Sequence, residues 1–143
     1  MLKIAKVTRK DLRSVKRFDD KEWHRLDRKH YGRPLGEYMD NEFYFMATEN
    51  GGIAGTIKGK YEMGVVFISA LIVAEEKRRQ AIGKKLLNKV GEHGKKLGCH
   101  KIYLFTGKNW KANEFYRSLG FAKTGELLKH YNKRDFYIYE KNI

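Results

Sequence analysis

Between Leu71 and Leu87 the chain reads Leu71-Ile72-Val73-Ala74-Glu75-Glu76-Lys77-Arg78-Arg79-Gln80-Ala81-Ile82-Gly83-Lys84-Lys85-Leu86-Leu87. An apolar run stops, a basic turn follows, and a helix-forming stretch begins at small residues. The first turn of a helix carries N–H groups with no intrahelical partner and about half a positive charge from the macrodipole. Small residues let an anion approach those amides, and Arg78, Arg79, Lys84 and Lys85 ring the opening with full charges. Together they describe a cradle for a diphosphate. The Gly-Lys-Ser/Thr ending of a kinase-type P-loop is missing, and so are the three glycines of a dinucleotide-binding turn. Taken alone, the segment also reads as an ordinary basic helix start.

Charge is unevenly distributed along the 143 residues, whose formal net charge is +14. Residues 1–75 hold 14 Lys/Arg against 11 Asp/Glu, and residues 76–143 hold 17 against 6. A basic half predicts an anionic partner, whether nucleic acid, a membrane surface or a phosphorylated cofactor, with a lysine-rich solvated surface as the plain alternative. Cys99 is the single cysteine, so no internal disulfide and no cysteine-based zinc site can form, and no metal site is expected.

The elements that must position the cradle follow from periodicity. Leu2 to Val7 alternates apolar and basic residues and reads as a first strand. Thr8-Arg9-Lys10-Asp11 resembles a capping box and opens a helix through Leu12, Val15, Trp23 and Leu26, broken near Gly32-Arg33-Pro34. A second short helix is expected over Leu35 to Asn41. Strands follow at Phe43–Thr48 and Ile53–Lys60, joined by the turn signal Glu49-Asn50-Gly51-Gly52. Val65–Val73, interrupted only by Ser69, is apolar on both faces and predicts a central strand covered on each side. A third helix spans about Ile82 to Leu97, with Ile82, Leu86, Val90 and Leu97 on one side and Gly98 as its cap. Ile102–Thr106 is another buried strand. A fourth helix runs from about Asn109 to Leu119, with Ala112, Phe115, Tyr116 and Leu119 at core spacing. Glu126–Tyr131 and Phe136–Glu140 close the chain as strands. The order β-αα-βββ-α-β-α-ββ predicts a mixed α/β domain with a crossover helix on each side of the Ile102–Thr106 strand.

Length and composition bound the class. One domain over residues 1–143 fits the length, and 41% hydrophobic content excludes wholesale disorder. The longest apolar run falls short of the roughly 20 residues of a membrane span. The start Met1-Leu2-Lys3-Ile4-Ala5-Lys6 has no apolar signal core, so the expectation is a cytoplasmic protein with no membrane partner.

The segment from Arg78 to Gly83 resembles the acetyl-CoA-binding motif of the GNAT superfamily of N-acetyltransferases, Arg/Gln-x-x-Gly-x-Gly/Ala. Arg78 fills the first place, Ala81 replaces the first glycine and Gly83 fills the last. Downstream, Asn109-Trp110-Lys111-Ala112-Asn113-Glu114-Phe115-Tyr116-Arg117-Ser118-Leu119-Gly120-Phe121 is similar to the family's second signature, Asn-x-x-Ala-x-x-Phe-Tyr-x-x-x-Gly-Phe, and meets every defined position. In residues the resemblance covers about 65 to 121; in the order of elements it covers the whole chain.

The resemblance implies a single GNAT-like domain: a mixed, mostly antiparallel sheet, helices on both faces, and a splay between the fourth and fifth strands, Val65–Val73 and Ile102–Thr106. It implies acetyl-CoA as co-substrate, its pantetheine arm in the splay against the backbone of Leu71, Ile72 and Val73. The diphosphate would lie on the amides from Arg79 through Gln80, Ala81, Ile82 and Gly83 to Lys84, with Arg78 beside it, and Asn109 and Ala112 would meet the arm. Tyr116 occupies the general-acid position, where a neutral phenol of pKa near ~10 can donate to a departing thiol of pKa near ~8.5; a core aromatic is its plain alternative. Ala81 crowds the diphosphate if its φ is positive and fits if its φ is negative.

The implied reaction is direct attack by a primary amine on the thioester, with the acceptor a protein or peptide amine or a small, polyamine-like molecule. A base is needed, because an alkyl amine is neutral in only about one molecule in 2,500 at pH 7. The strand Ile102–Phe105 offers no glutamate. Glu37, Asp40 and His30 are the weak candidates, each of which reads better as an exposed surface residue. His130 and Tyr131, in the penultimate strand, match a region that caps the acceptor site. A nucleic-acid-binding module and a non-catalytic coenzyme-A binder on the same fold are the alternatives; the first lacks an RNA-binding signature. The expected state is monomer or homodimer.

Overall fold

Thr8 and Asp11 form the predicted capping box: the Asp11 carboxylate accepts from the Thr8 backbone N–H at 2.8 Å and from its hydroxyl at 2.6 Å. Those two bonds hold the Asp11 carboxyl below its usual range. In this computed structural model, residues 1–35, 41–78 and 81–143 are described. The chain divides into two compact units, Met1–Tyr38 and Met39–Ile143.

The first unit is built on helix α1, Leu12–Tyr31, which a turn of 3-10 helix precedes. It ends where Gly32 adopts φ +74° and returns its N–H to the Arg28 carbonyl at 3.0 Å. The predicted strand over Leu2–Val7 is not formed: residues 1–8 carry no regular structure, and the sheet includes none of them. Alternation satisfied the pattern but supplied no partner for the backbone. The predicted helix over Leu35–Asn41 lies mostly outside the described residues, and Asn41 itself opens a strand.

The second unit is a six-stranded sheet in the order β1-β2-β3-β4-β6-β5. The strands are β1 (Asn41–Glu49), β2 (Gly52–Glu62), β3 (Val65–Val73), β4 (Lys101–Gly107), β5 (Ala122–Leu127) and β6 (Phe136–Asn142). Every neighbouring pair is antiparallel except β3 and β4, which run parallel. Asn50 (φ 51°) and Gly51 (φ 79°) close the first hairpin with the left-handed pair that a two-residue turn requires. The splayed strands, counted fourth and fifth from sequence, are β3 and β4, because the chain's first strand is β1.

Helix α2, Ile82–Lys96, is the right-sized crossover for that parallel pair. Ile82, Leu86, Leu87 and Val90 are buried in the core with Ile57, Val66, Ile68, Ile102 and Leu104. Leu97 is not among them: at 47% exposure it lies past the last turn, and Gly94 occupies the core-facing place, where a Cβ would come 2.8 Å from Val66. Gly98 adopts φ +84° beyond the helix end. Helix α3, Ala112–Ser118, packs on the same face as α2, since Tyr116 and Asn113 meet Tyr139, whose position on β6 pairs with Leu104. β5 ends earlier than predicted. Its register slips between Lys123 and Gly125, the chain turns at Lys129 (φ 48°), and His130 and Tyr131 lie in the turn rather than in a strand.

Candidate active site

β3 and β4 pair only from Val65/Lys101 to Ile68/Leu104. Beyond those rungs β3 runs on for five residues, Ser69 to Val73, and β4 for three, Phe105 to Gly107. β4 turns to β6 over its whole length, and β3 stays with β2 through the Gly55/Val73 pair, so the two strands part at their C-terminal ends. Main-chain groups of both strands therefore face an opening in the middle of the sheet.

Ser69 produces the divergence. β2 pairs Lys58 with Ala70 and Gly59 with Ile68, which leaves Ser69 as the extra residue of a β-bulge, its hydroxyl donating to the Lys58 carbonyl at 3.1 Å. A bulge bends its strand and raises the local twist. Gly59 lies opposite, where any Cβ would run into the Phe67 carbonyl. The bulge also shifts the alternation: Val66 and Ile68 face the core before it, and Leu71 and Val73 pack against the core after it. Ile72, between them, is 59% exposed, so the cover predicted on both faces stops at the bulge.

The start of α2 stands at the end of β3. Its N-cap, Ala81, provides no side-chain cap, and the first intrahelical bond is Lys85 N–H to the Ala81 carbonyl at 3.0 Å. The amides of Ile82, Gly83 and Lys84 precede that bond and have no intrahelical acceptor. Ala81 has φ +59° and ψ +18°, the left-handed conformation in which a methyl is strained. Of the two alternatives open at this residue, the structure takes the strained one. Gly83 is buried, and a Cβ on it would lie 3.1 Å from Phe115 of α3 and 3.7 Å from Val73 of β3. Its small size thus brings α2, α3 and β3 together as well as baring the helix start. The Arg78 guanidinium folds back, Nε donating to the Val73 carbonyl at 3.3 Å. Arg79 and Gln80 lie outside the described residues.

On the other side of the opening, α3 begins at Ala112, later than the predicted Asn109. Asn113 is the reason. Its buried amide donates to the carbonyls of Gly107 (2.8 Å), Trp110 (2.7 Å) and Lys108 (3.3 Å), and its oxygen accepts from the Tyr139 hydroxyl at 2.9 Å. These bonds hold the β4–α3 loop in a fixed turn that carries Asn109 exposed. Sequence reasoning passed over Asn113; the available signal was an amide one turn into a helix that follows a strand end. Trp110 lies over Gly107, where any Cβ would collide with its indole, and meets Phe136 at 5.4 Å.

Tyr116 is 7% exposed, ringed by Phe115, Phe121 and Tyr139 at 5.1, 5.5 and 6.2 Å. Burial pushes its phenol up to about 12. Its hydroxyl forms no hydrogen bond with any described residue. Ala112 is half-buried against the core. The second unit therefore brings together Leu71, Ile72, Val73, Arg78, Ala81, Ile82, Gly83 and Lys84 on one side of the opening, and Asn109, Ala112 and Tyr116 on the other. Of the base candidates, His30 is in the last turn of α1 in the first unit, while Glu37 and Asp40 lie outside the described residues. Among the described residues no cluster of His, Cys, Asp or Glu could hold a metal ion, and no helix is long and apolar enough to cross a membrane.

Residues 8–121 match the profile of the Acetyltransferase (GNAT) family. Acetyltransferase Atu2258 of Agrobacterium fabrum is 33% identical over 79 residues, which span 55% of this chain and 57% of that relative. The match thus covers little more than half of the curated relative's length. Among solved structures, the chain is similar to an acetyltransferase from Bacillus cereus (21% identity, 99% of this chain and 98% of that one, TM-score 0.69). It is similar too to an acetyltransferase from Elizabethkingia anophelis with acetyl-CoA bound (19% identity, 72% and 77%, TM-score 0.66). These likenesses establish the fold.

Proposed function

The chain belongs to the acetyltransferase (GNAT) family, and from that premise we propose that it transfers the acetyl group of acetyl-CoA to a primary amine, with a protein or peptide amine favoured over a small polyamine. The observation that carries this reading is the parting of β3 and β4 beyond Ile68 and Leu104 with the bare start of α2 at its mouth. An open strand edge suits the amide-bearing pantetheine arm, and unpartnered helix amides beside Lys84, Lys85 and Arg78 suit a diphosphate. The bound acetyl-CoA seen in the Elizabethkingia anophelis structure supports the same substrate here.

In this reading Leu71, Ile72 and Val73 offer backbone to the arm, and Arg79, Gln80, Ala81, Ile82, Gly83 and Lys84 offer amides to the diphosphate. Acetyl-CoA supplies an activated acyl group; the amine nitrogen attacks its carbonyl, the C–N bond forms, the C–S bond breaks, and sulfur leaves with the electron pair. Tyr116 occupies the general-acid position beside the leaving sulfur. With its pKa near 12, full proton transfer to a thiolate of ordinary pKa ~8.5 is uphill by about 5 kcal/mol. Its contribution is therefore a hydrogen bond donated to sulfur as negative charge builds, and solvent completes the protonation. The raised pKa keeps the phenol in its donor form throughout the physiological range.

The test is acetyl-CoA binding by calorimetry, followed by a screen of polyamines, peptide N-termini and lysine peptides read by released thiol. Binding with turnover on at least one amine is expected. Absence of acetyl-CoA binding refutes the reading, and binding that leaves every amine untouched makes the protein a coenzyme-A binder instead.

A further inference from the structure

His130 Nε2 is a buried side-chain nitrogen with no hydrogen-bond partner among the described residues. A buried polar atom without a partner calls for an explanation. The imidazole packs against Phe105 (5.6 Å, interplanar 90°), Phe136 (5.8 Å, 71°) and Tyr131 (4.2 Å, 51°). A ring face can accept an N–H through its negative quadrupole but offers no donor to a nitrogen lone pair. The enclosure therefore favours the neutral tautomer with hydrogen on Nε2. That leaves the lone pair on Nδ1, which is neither hydrogen-bonded nor among the buried unsatisfied atoms. Fixing one nitrogen of a histidine so that the other is free to accept a proton is how an imidazole is prepared as a base.

Its position matters as much. Phe105 is the first β4 residue beyond the last β3–β4 rung, and its side chain lies on the opposite sheet face from Leu104. Tyr116 packs on the Leu104 face, through Tyr139. His130 and Tyr116 thus stand on opposite faces of the sheet at the strand that borders the opening. The loop that carries His130 is firmly held. Its N–H donates to the Arg134 carbonyl at 2.7 Å, and Asp135 accepts from Lys129 N–H through its carboxylate (2.9 Å) and from Lys108 N–H through its carbonyl (3.0 Å). The last of these bonds ties the loop to the turn that presents Asn109. Lys129, Asn132 and Lys133 all have positive φ, and backbone strain concentrated around one side chain is a mark of positioning.

We propose that His130, through Nδ1, accepts the proton released by the amine nitrogen as it bonds to the acetyl carbon, opposite the Tyr116 hydroxyl that donates to sulfur. The proposal rests on the function given above. The nitrogen becomes far more acidic once the C–N bond forms; its proton passes to Nδ1, the electron pair of the N–H bond stays on nitrogen, and the imidazolium returns the proton to solvent.

Two measurements test it. In 15N-histidine-labelled protein at mildly alkaline pH, the His130 signals, assigned by their loss in His130→Asn, should show hydrogen on Nε2 and a bare Nδ1. The opposite tautomer overturns the proposal whatever the activity. Turnover of acetyl-CoA with a lysine-bearing peptide and with spermidine should fall about 100-fold in His130→Asn and in His130→Phe, while acetyl-CoA affinity stays within about twofold, the loss residing in kcat. His130→Phe fills the aromatic box and guards against an unfolded variant. Wild-type turnover in His130→Phe overturns this inference alone, whereas failure of the wild-type protein to bind acetyl-CoA overturns it together with the proposed function.

Discussion

The rings of Tyr116 and Tyr139 lie 6.2 Å apart, yet Tyr139 donates a 2.9 Å hydrogen bond to Asn113 and Tyr116 has no hydrogen bond with any described residue. One phenol is committed to a structural bond and the other makes none with a described residue. Tyr139→Phe strips Asn113 of a buried partner and should cost about 1–3 kcal/mol of stability, read as a lowered urea midpoint. Tyr116→Phe loses no such bond; its urea midpoint should move little while turnover drops about 10- to 100-fold with acetyl-CoA affinity kept. Unchanged turnover in Tyr116→Phe removes that hydroxyl from the mechanism.

Ala81 holds a left-handed conformation that glycine adopts without strain. Ala81→Gly should raise stability by about 0.5–1 kcal/mol, net of the extra freedom gained by the unfolded chain. It should also tighten acetyl-CoA binding, because a methyl leaves the diphosphate's approach. Thermal unfolding and calorimetric titration check the two parts separately; weaker binding in the glycine variant contradicts the assigned location of the diphosphate.

Gly83 has two reasons to be small, and they can be separated. Gly83→Ala places a methyl 3.1 Å from Phe115 and should cost about 1–2 kcal/mol. Phe115→Leu in the same chain should recover most of that loss. Gly83→Glu adds bulk and negative charge at the helix start and should abolish acetyl-CoA binding even with Phe115→Leu present. Tight binding in that double variant rules out the cradle.

Alkaline pH should weaken the fold in a defined window. Burial raises both Tyr61 and Tyr116 to about 12, from 10.0. The folded chain keeps these protons through a range in which the unfolded chain releases them, so stability is full below about pH 10 and declines as pH climbs toward 12. For Tyr116 the displacement is worth about 3 kcal/mol. Urea midpoints measured from about pH 9 to 11 should fall, and fall less steeply in Tyr116→Phe. Parallel curves for the two proteins refute the assignment.

What could be read in advance followed the strength of the local signal. The boundaries of Val65–Val73 came out unchanged, because an apolar run bounded by turns needs little tertiary context. The Asn50-Gly51 hairpin needed none. Leu2–Val7 failed because alternation describes a strand's faces but says nothing about whether a neighbour exists. The last hairpin was displaced because its end is set by Lys129 in a positive-φ turn, for which lysine gives no warning. At the candidate site the two motifs singled out Arg78, Gly83 and Tyr116 by local spacing, whereas Asn113 and His130 are held in part by partners distant in sequence, the Tyr139 hydroxyl and the Phe105 ring.

The bulge at Ser69 makes the cleft a matter of residue count rather than of side-chain identity. Shorten β3 by that single residue and Ile68 and Ala70 would become neighbours opposite Gly59 and Lys58 in an unbroken ladder, Leu71 and Val73 would keep their places toward the core, and the strand would lose its reason to veer from β4. Such a chain would be a more regular sheet with nowhere to seat a ligand. Capacity for catalysis here begins with an irregularity that no side chain could supply.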